Sequence, residues 1–141
     1  MRDLAAVLLV LALHLAAPVG HAATLDILVD KTDQEMTVLH EGRVIHRWPV
    51  STARPGKVTP NGVFAPQAFV RQHYSTLYNN APMPWSIFYH GNYAIHGTDQ
   101  IARLGQVASA GCIRLHPENA RTLFLLAREV GKAETRIIVY E

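Results

Sequence analysis

A mostly β domain of sandwich or barrel-like architecture, with one substantial helix at about residues 117–130, is the fold class the sequence predicts. Three observations predict it. Short stretches of alternating apolar and polar residues recur along the chain, the period that turns one face of a strand towards a core. Turn signals built from glycine, proline and asparagine punctuate those stretches at close intervals. Beyond the N-terminal region, one segment repeats apolar residues at helical spacing.

The chain opens MRDLAAVLLVLALHLAAPVGHAATLDI. Arg2 supplies a positive charge, weakened by Asp3, and Leu4 to Ala17 is apolar except for His14. Small residues follow at Gly20, Ala22 and Ala23. This is the pattern of a secretory signal whose h-region falls short of a membrane span. Residues 1–22 are therefore expected to be removed after Ala22, leaving residues 23–141 as a single domain with one modest core. The expected destination is the periplasm or cell envelope, with no stable membrane anchor after cleavage. No cysteine follows the h-region, so lipid attachment at a processed N-terminal cysteine is not expected.

Thr24 to Asp30 (TLDILVD) alternates as a half-buried strand does. Glu35 to Leu39 and Arg43 to Val50 repeat the pattern on either side of Glu41-Gly42, which reads as a hairpin turn. The next stretch, STARPGKVTPNGVFAP, carries Pro55-Gly56 and Pro60-Asn61-Gly62 and reads as a turn-rich loop. Val63 to Val70, Trp85 to Tyr89 and Tyr93 to Ile95 read as further strands, the last two joined at Gly91-Asn92. Pro117 suits a first helical position, Ala120, Leu123, Phe124 and Ala127 form the apolar stripe, and Gly131 stops the helix. Thr135 to Tyr140 (TRIIVY) closes the chain as a strand, giving a mostly antiparallel arrangement.

The formal net charge is +2, and losing Arg2 and Asp3 together leaves it unchanged. No run of Lys or Arg points to nucleic acid or an anionic membrane. Cys112, within SAGCIRLH, is the chain's only cysteine. Exported domains use cysteines in pairs, so an unpaired thiol suggests a reactive group or an intermolecular bridge. A small buried hydrophobe is the alternative.

A nucleophilic thiol needs a base, because the thiolate attacks and the ordinary pKa is about 8.5. His96 (YAIHGTD) stands sixteen positions upstream, where an apolar strand gives way to Gly97. The segment between them is long enough to return Cys112 beside it. Gly111 lets the backbone approach a substrate without a Cβ in the way, and nearby N–H groups suit an oxyanion. If the segment is extended, Arg114 points to the same side as Cys112, where it can lower the thiol pKa or hold a substrate carboxylate. No pair among Cys112, His116, His96 and His90 has zinc-motif spacing and there is no second cysteine, so no metal or other cofactor is expected.

Taken together, IHGTD and SAGCIRLH resemble the active-site signature of the L,D-transpeptidase family, the YkuD-type catalytic domain. ILVDKTDQEMTVLHEGRVIHRWPVSTA is similar to that family's N-terminal strands, VTPNGVFAP to its Thr-Pro-x-Gly loop, and MPWSIFYHGNYAIHGT to the approach to its histidine. The resemblance covers roughly Thr24 to Val139. It implies an exported enzyme acting on peptidoglycan stem peptides: the cysteine attacks the third, dibasic residue of a tetrapeptide, D-alanine leaves, and an amine resolves the thioester. The acceptor is another stem, giving a 3–3 cross-link, or an envelope protein. By motif position it implies Cys112 as nucleophile, His96 as base, the Gly97 carbonyl as orienter, and N–H groups at Gly111 and Cys112 as the oxyanion hole. Arg114 and Ser109 fall at substrate-binding positions, and Trp85, Tyr89 and the Pro60-to-Gly62 loop are expected near the cleft.

The sequence departs from the family pattern at Ala110, where many members carry histidine. The departure leaves the nucleophile and base in place and removes one donor near the thiol. Two rival readings follow: hydrolysis at the same thioester, and a catalytically weak peptidoglycan-binding module.

Overall fold

A computed structural model of the chain describes residues 24–141; the expected secretory signal, residues 1–22, lies outside the described residues. The alternation read from the sequence appears directly as burial. In β1 (Leu25–Asp30) Leu25, Ile27 and Val29 are fully buried, and in β2 (Glu35–His40) Met36 and Val38 are. The turn to β3 (Arg43–Pro49) places Glu41 and Gly42 at φ 51° and 79°, the pair of positive angles that a two-residue hairpin requires.

Two sheets result. The first has five strands in the order β3-β2-β1-β9-β4, with β4 at Gly62–Phe64 and β9 at Thr135–Tyr140. The second has four, ordered β5-β6-β7-β8: Ala68–Val70, Ser86–His90, Tyr93–Gly97 and Ile113–Leu115. One continuous buried cluster joins them, drawing Ile137 and Val139 from the first sheet, Ile87, Ile95 and Ile113 from the second, and Leu123 and Phe124 from the helix. Helix α1 (Pro117–Val130) begins with Pro117 at its first turn, buries Ala120, Leu123, Phe124 and Ala127, and ends at Gly131.

Three features differ from the sequence expectation. The single strand expected over Val63 to Val70 is two short strands in different sheets, parted around buried Pro66, which has no N–H to give a ladder. β8 is three residues long, too short to announce itself by alternation. The mostly antiparallel pattern holds, but β1 pairs with β9 and β7 with β8 in parallel. Among the described residues, no helix is long and apolar enough to cross a membrane.

Candidate active site

The β7–β8 ladder assembles the site. Its parallel register sets Ile95 opposite Ile113 and His96 opposite Arg114. One step back, Cys112 adjoins Ala94, and its thiol donates to the Asn92 carbonyl oxygen at 3.7 Å. Cys112 and His96 are thus diagonal neighbours on one side of the ladder, a relation that puts Cα atoms roughly 7–8 Å apart. Parallel strands cannot be joined by a tight turn. Here the connection is a long loop holding a 3-10 turn at Ile101–Arg103, and it returns the cysteine to the strand that carries the histidine.

His96 is 5% exposed, and its Nδ1 lies 2.6 Å from the Gly97 carbonyl oxygen. A carbonyl only accepts, so this bond places the proton on Nδ1 and leaves the Nε2 lone pair free. Burial pushes the imidazole pKa down to about 4; the Gly97 hydrogen bond opposes that, while the Arg114 and His73 charges add to it. The thiol moves the other way. Burial raises its pKa, and the Ala94 backbone and the Arg114 charge recover only part of the rise. Arg114 therefore acts in the direction expected of it without prevailing. Both shifts oppose a resting thiolate–imidazolium pair and favour a neutral thiol beside a neutral base.

A buried clamp shapes the turn that carries Cys112. The Ser109 hydroxyl, 0% exposed, accepts from the Gly111 N–H at 3.0 Å and donates to the Cys112 carbonyl at 2.6 Å. Gly111 sits at φ +139°, where a Cβ would meet Tyr93 Cε1 at 2.7 Å and the Val58 carbonyl at 2.8 Å. The Gly111 carbonyl accepts from Thr59 Oγ1 at 2.8 Å. The Ser109 side chain, expected to bind substrate, holds this turn, and Ser109 is among the residues that line the cleft. The Gly111 N–H, expected to serve an oxyanion, is engaged by Ser109, while among the described residues no hydrogen bond engages the Cys112 N–H. Gly97 is equally constrained, since a Cβ would come within 2.9 Å of Pro117 Cα.

The cleft in front of Cys112 has a volume of about 490 Å³. Arg114, half-buried, lines it and donates to Gln100 Oε1 at 3.1 Å. Trp85 and Tyr89, expected near the cleft, do not line it. Trp85 packs edge-on against Phe124 of the helix, with the Arg71 and Arg121 guanidiniums over its ring. Tyr89 is 1% exposed and packs against Phe64, because aromatic residues on a central strand fill the core before they reach solvent. The Pro60-to-Gly62 loop leads instead into β4, with Asn61 reaching Glu141, and its neighbour Thr59 is the residue that reaches the Gly111 turn. Among the described residues, no group of three or more His, Cys, Asp or Glu side chains is arranged to hold a metal ion.

Two contributors escaped the sequence reading. The segment from His73 to Met83 forms the opposite wall of the cleft, where Tyr78 lies under the Lys57 ammonium, 5.8 Å from the ring centroid. Its signal was present in Tyr74, Leu77 and Tyr78 before the turn pair Asn79-Asn80, both at positive φ. Arg54 also lines the cleft, and its place depends on a long-range pairing that no local pattern reveals.

Residues 25–139 match the YkuD family, described as the L,D-transpeptidase catalytic domain. Among solved structures, the chain is similar to an L,D-transpeptidase from Mycobacterium smegmatis, with TM-score 0.76 and 22% identity over 84% of this chain and 59% of that one. It is similar to an L,D-transpeptidase (residues 123-326) from Xylanimonas cellulosilytica, with TM-score 0.69 and 25% identity over 84% of this chain and 61% of that one. A third is L,D-transpeptidase 3 from Mycobacterium tuberculosis in complex with a faropenem-derived adduct, with TM-score 0.73 and 18% identity over 84% and 60% of the two chains. The chain therefore spans about three-fifths of the length of these neighbours. No curated protein matches it.

Proposed function

Because this chain belongs to the L,D-transpeptidase (YkuD) catalytic-domain family, we propose that it is a cysteine-dependent acyltransferase acting on peptidoglycan stem peptides in the cell envelope. The observation that carries the reading is the pairing of a cleft-facing thiol with a histidine whose free Nε2 is fixed by the Gly97 carbonyl. His96 Nε2 takes the thiol proton as Cys112 Sγ attacks the carbonyl of the dibasic third residue. The oxyanion forms beside the Cys112 N–H. On collapse the carbon–nitrogen bond to the terminal D-alanine breaks, His96 returns the proton to the leaving nitrogen, and an acyl thioester remains. An acceptor amine then attacks the thioester and regenerates the thiol; the acceptor is a second stem or an envelope protein. Because both partners are neutral at rest, proton transfer accompanies attack rather than preceding it.

A structural neighbour carries a faropenem-derived adduct, which suggests the probe. Incubating the chain with a carbapenem and weighing the intact protein should show one covalent adduct, absent from Cys112→Ala. An unmodified mass, together with no thioester on muropeptides, would overturn the reading. Product analysis with and without an added amine separates transfer from hydrolysis, since only transfer yields a cross-linked product.

A further inference from the structure

Cations on two separate stretches of chain converge on the cleft. Arg114 comes from β8 and Arg54 from the loop after β3, and both line the cavity in front of Cys112. Their relative position is set by backbone. Ser51 and Arg114 exchange N–H···O bonds of 3.1 and 2.9 Å, the Arg54 N–H donates to the Ser109 carbonyl at 2.9 Å, and the Thr52 carbonyl accepts from both Ala108 and Ser109 at 2.9 Å. Thr52 is held in turn by Gln34, whose side chain bonds both its N–H and its hydroxyl. The strap carrying Arg54 is thereby laced to the turn carrying the nucleophile.

This arrangement gathers like charges. Burial works first against the protonation of Arg114 and the Arg54 and Arg103 charges add to it, while Cys112 and Asp99 act in its favour. The ion pairs among the described residues are Lys31–Glu141, Arg47–Glu35 and Arg136–Asp26, so neither cleft arginine has a carboxylate partner. Two guanidiniums beside one cavity are favourable when an anion bridges them, and planar guanidinium forks match carboxylate oxygens.

We infer that Arg54 and Arg114 together form a subsite for a carboxylate of the acyl-donor peptide, making Arg54 a specificity-determining residue of the site. The inference rests on the proposed reaction, in which the donor is a stem peptide ending in the free carboxylate of its terminal D-alanine. A stem tetrapeptide offers this chemistry from more than one place: the C-terminal carboxylate of the leaving residue and carboxylates on residues that stay with the acyl group.

Binding to the Cys112→Ala chain, measured by calorimetry, tests the subsite without turnover. The probes are a synthetic tetrapeptide with all carboxylates free and its analogues amidated at one carboxylate at a time. Amidation at the recognised carboxylate should weaken binding about tenfold, the worth of a charge-assisted contact of about 1.4 kcal/mol. Adding Arg54→Ala should weaken the free acid by a similar factor and leave that one amide unchanged, while Arg54→Lys recovers part of the loss. Equal affinity for every peptide, or an Arg54→Ala loss that is the same on all of them, would overturn the inference. Thioester formation by the unmodified chain is scored separately. If it fails while Arg54 still distinguishes acid from amide, the reaction falls and the subsite stands; the reverse pattern removes the subsite alone.

Discussion

The Nδ1 of His96 and the carbonyl of the very next residue, Gly97, are 2.6 Å apart, so the residue that ends the strand also fixes the tautomer of the imidazole. Through that bond, backbone geometry at Gly97 sets the direction in which the Nε2 lone pair points. Nothing larger than glycine fits there, because Pro117 and Pro84 close on the position a Cβ would occupy.

The first prediction concerns His96 as the proposed base. Replacing His96 with Ala should slow Cys112 acylation by roughly 10²–10⁴-fold at neutral pH, the usual worth of a positioned general base. Because burial holds the thiol above its ordinary value, alkaline pH should restore part of the lost rate by ionising Cys112 directly. Adduct formation followed by intact mass across pH reads both effects. A variant as fast as the parent at neutral pH would remove His96 from the mechanism.

His96 also makes stability depend on pH. Its folded pKa of about 4 lies below the ordinary 6.5, so between these values the unfolded chain binds a proton that the folded chain refuses. Stability contributed by the neutral imidazole is fully present above about pH 6.5 and is lost as pH falls towards 4, amounting to about 3 kcal/mol. Urea unfolding at several pH values should show that decline, and His96→Gln should flatten it.

Most of the frame was legible because alternation, turn chemistry and helix capping are local. Leu25, Ile27 and Val29 declare a strand by themselves, and so do Pro117 and Gly131 as the ends of a helix. The partners of the active site are set by long-range pairing instead. Cys112 and His96 were legible as residue types with a motif around them, but their diagonal placement comes from the parallel β7–β8 register. Arg54 reaches the cleft only through the bridge that sets Ala53 beside Ser109, residues far apart in sequence. Trp85 and Tyr89 misled because an aromatic strand residue suits a binding face and a core equally well until the packing is known.

The turn before Cys112 should be intolerant of substitution at two positions, for different reasons. Gly111→Ala places a methyl group on Tyr93 and the Val58 carbonyl at a φ that favours glycine. A loss of roughly 2–4 kcal/mol in unfolding free energy is expected from overpacking and backbone strain together. Ser109→Ala removes the hydroxyl that holds the Gly111 N–H and the Cys112 carbonyl, leaving one buried and one part-buried backbone group without it. Roughly 1–3 kcal/mol should be lost, with slower acylation, whereas Ser109→Thr keeps the hydroxyl and should fall between. Thermal melts alongside adduct kinetics separate the two contributions.

Tyr89 provides the opposite case. It is the extra residue where the β6–β7 register shifts between Phe88 and His90, and it stays on the buried face of β6 with Ile87, its ring against Phe64. Its hydroxyl is buried with no hydrogen-bond partner among the described residues, and burial, with the Cys112 and Tyr93 charges behind it, pushes its ionisation up. A buried hydroxyl without a partner has given up its bonds to water for nothing in return. Tyr89→Phe removes that group while keeping the ring and its packing, so the variant should be more stable by about 1 kcal/mol. Denaturant unfolding checks the sign. A loss of stability would mean that the hydroxyl is satisfied in solution, by an ordered water or by movement of the Cys112 turn towards it.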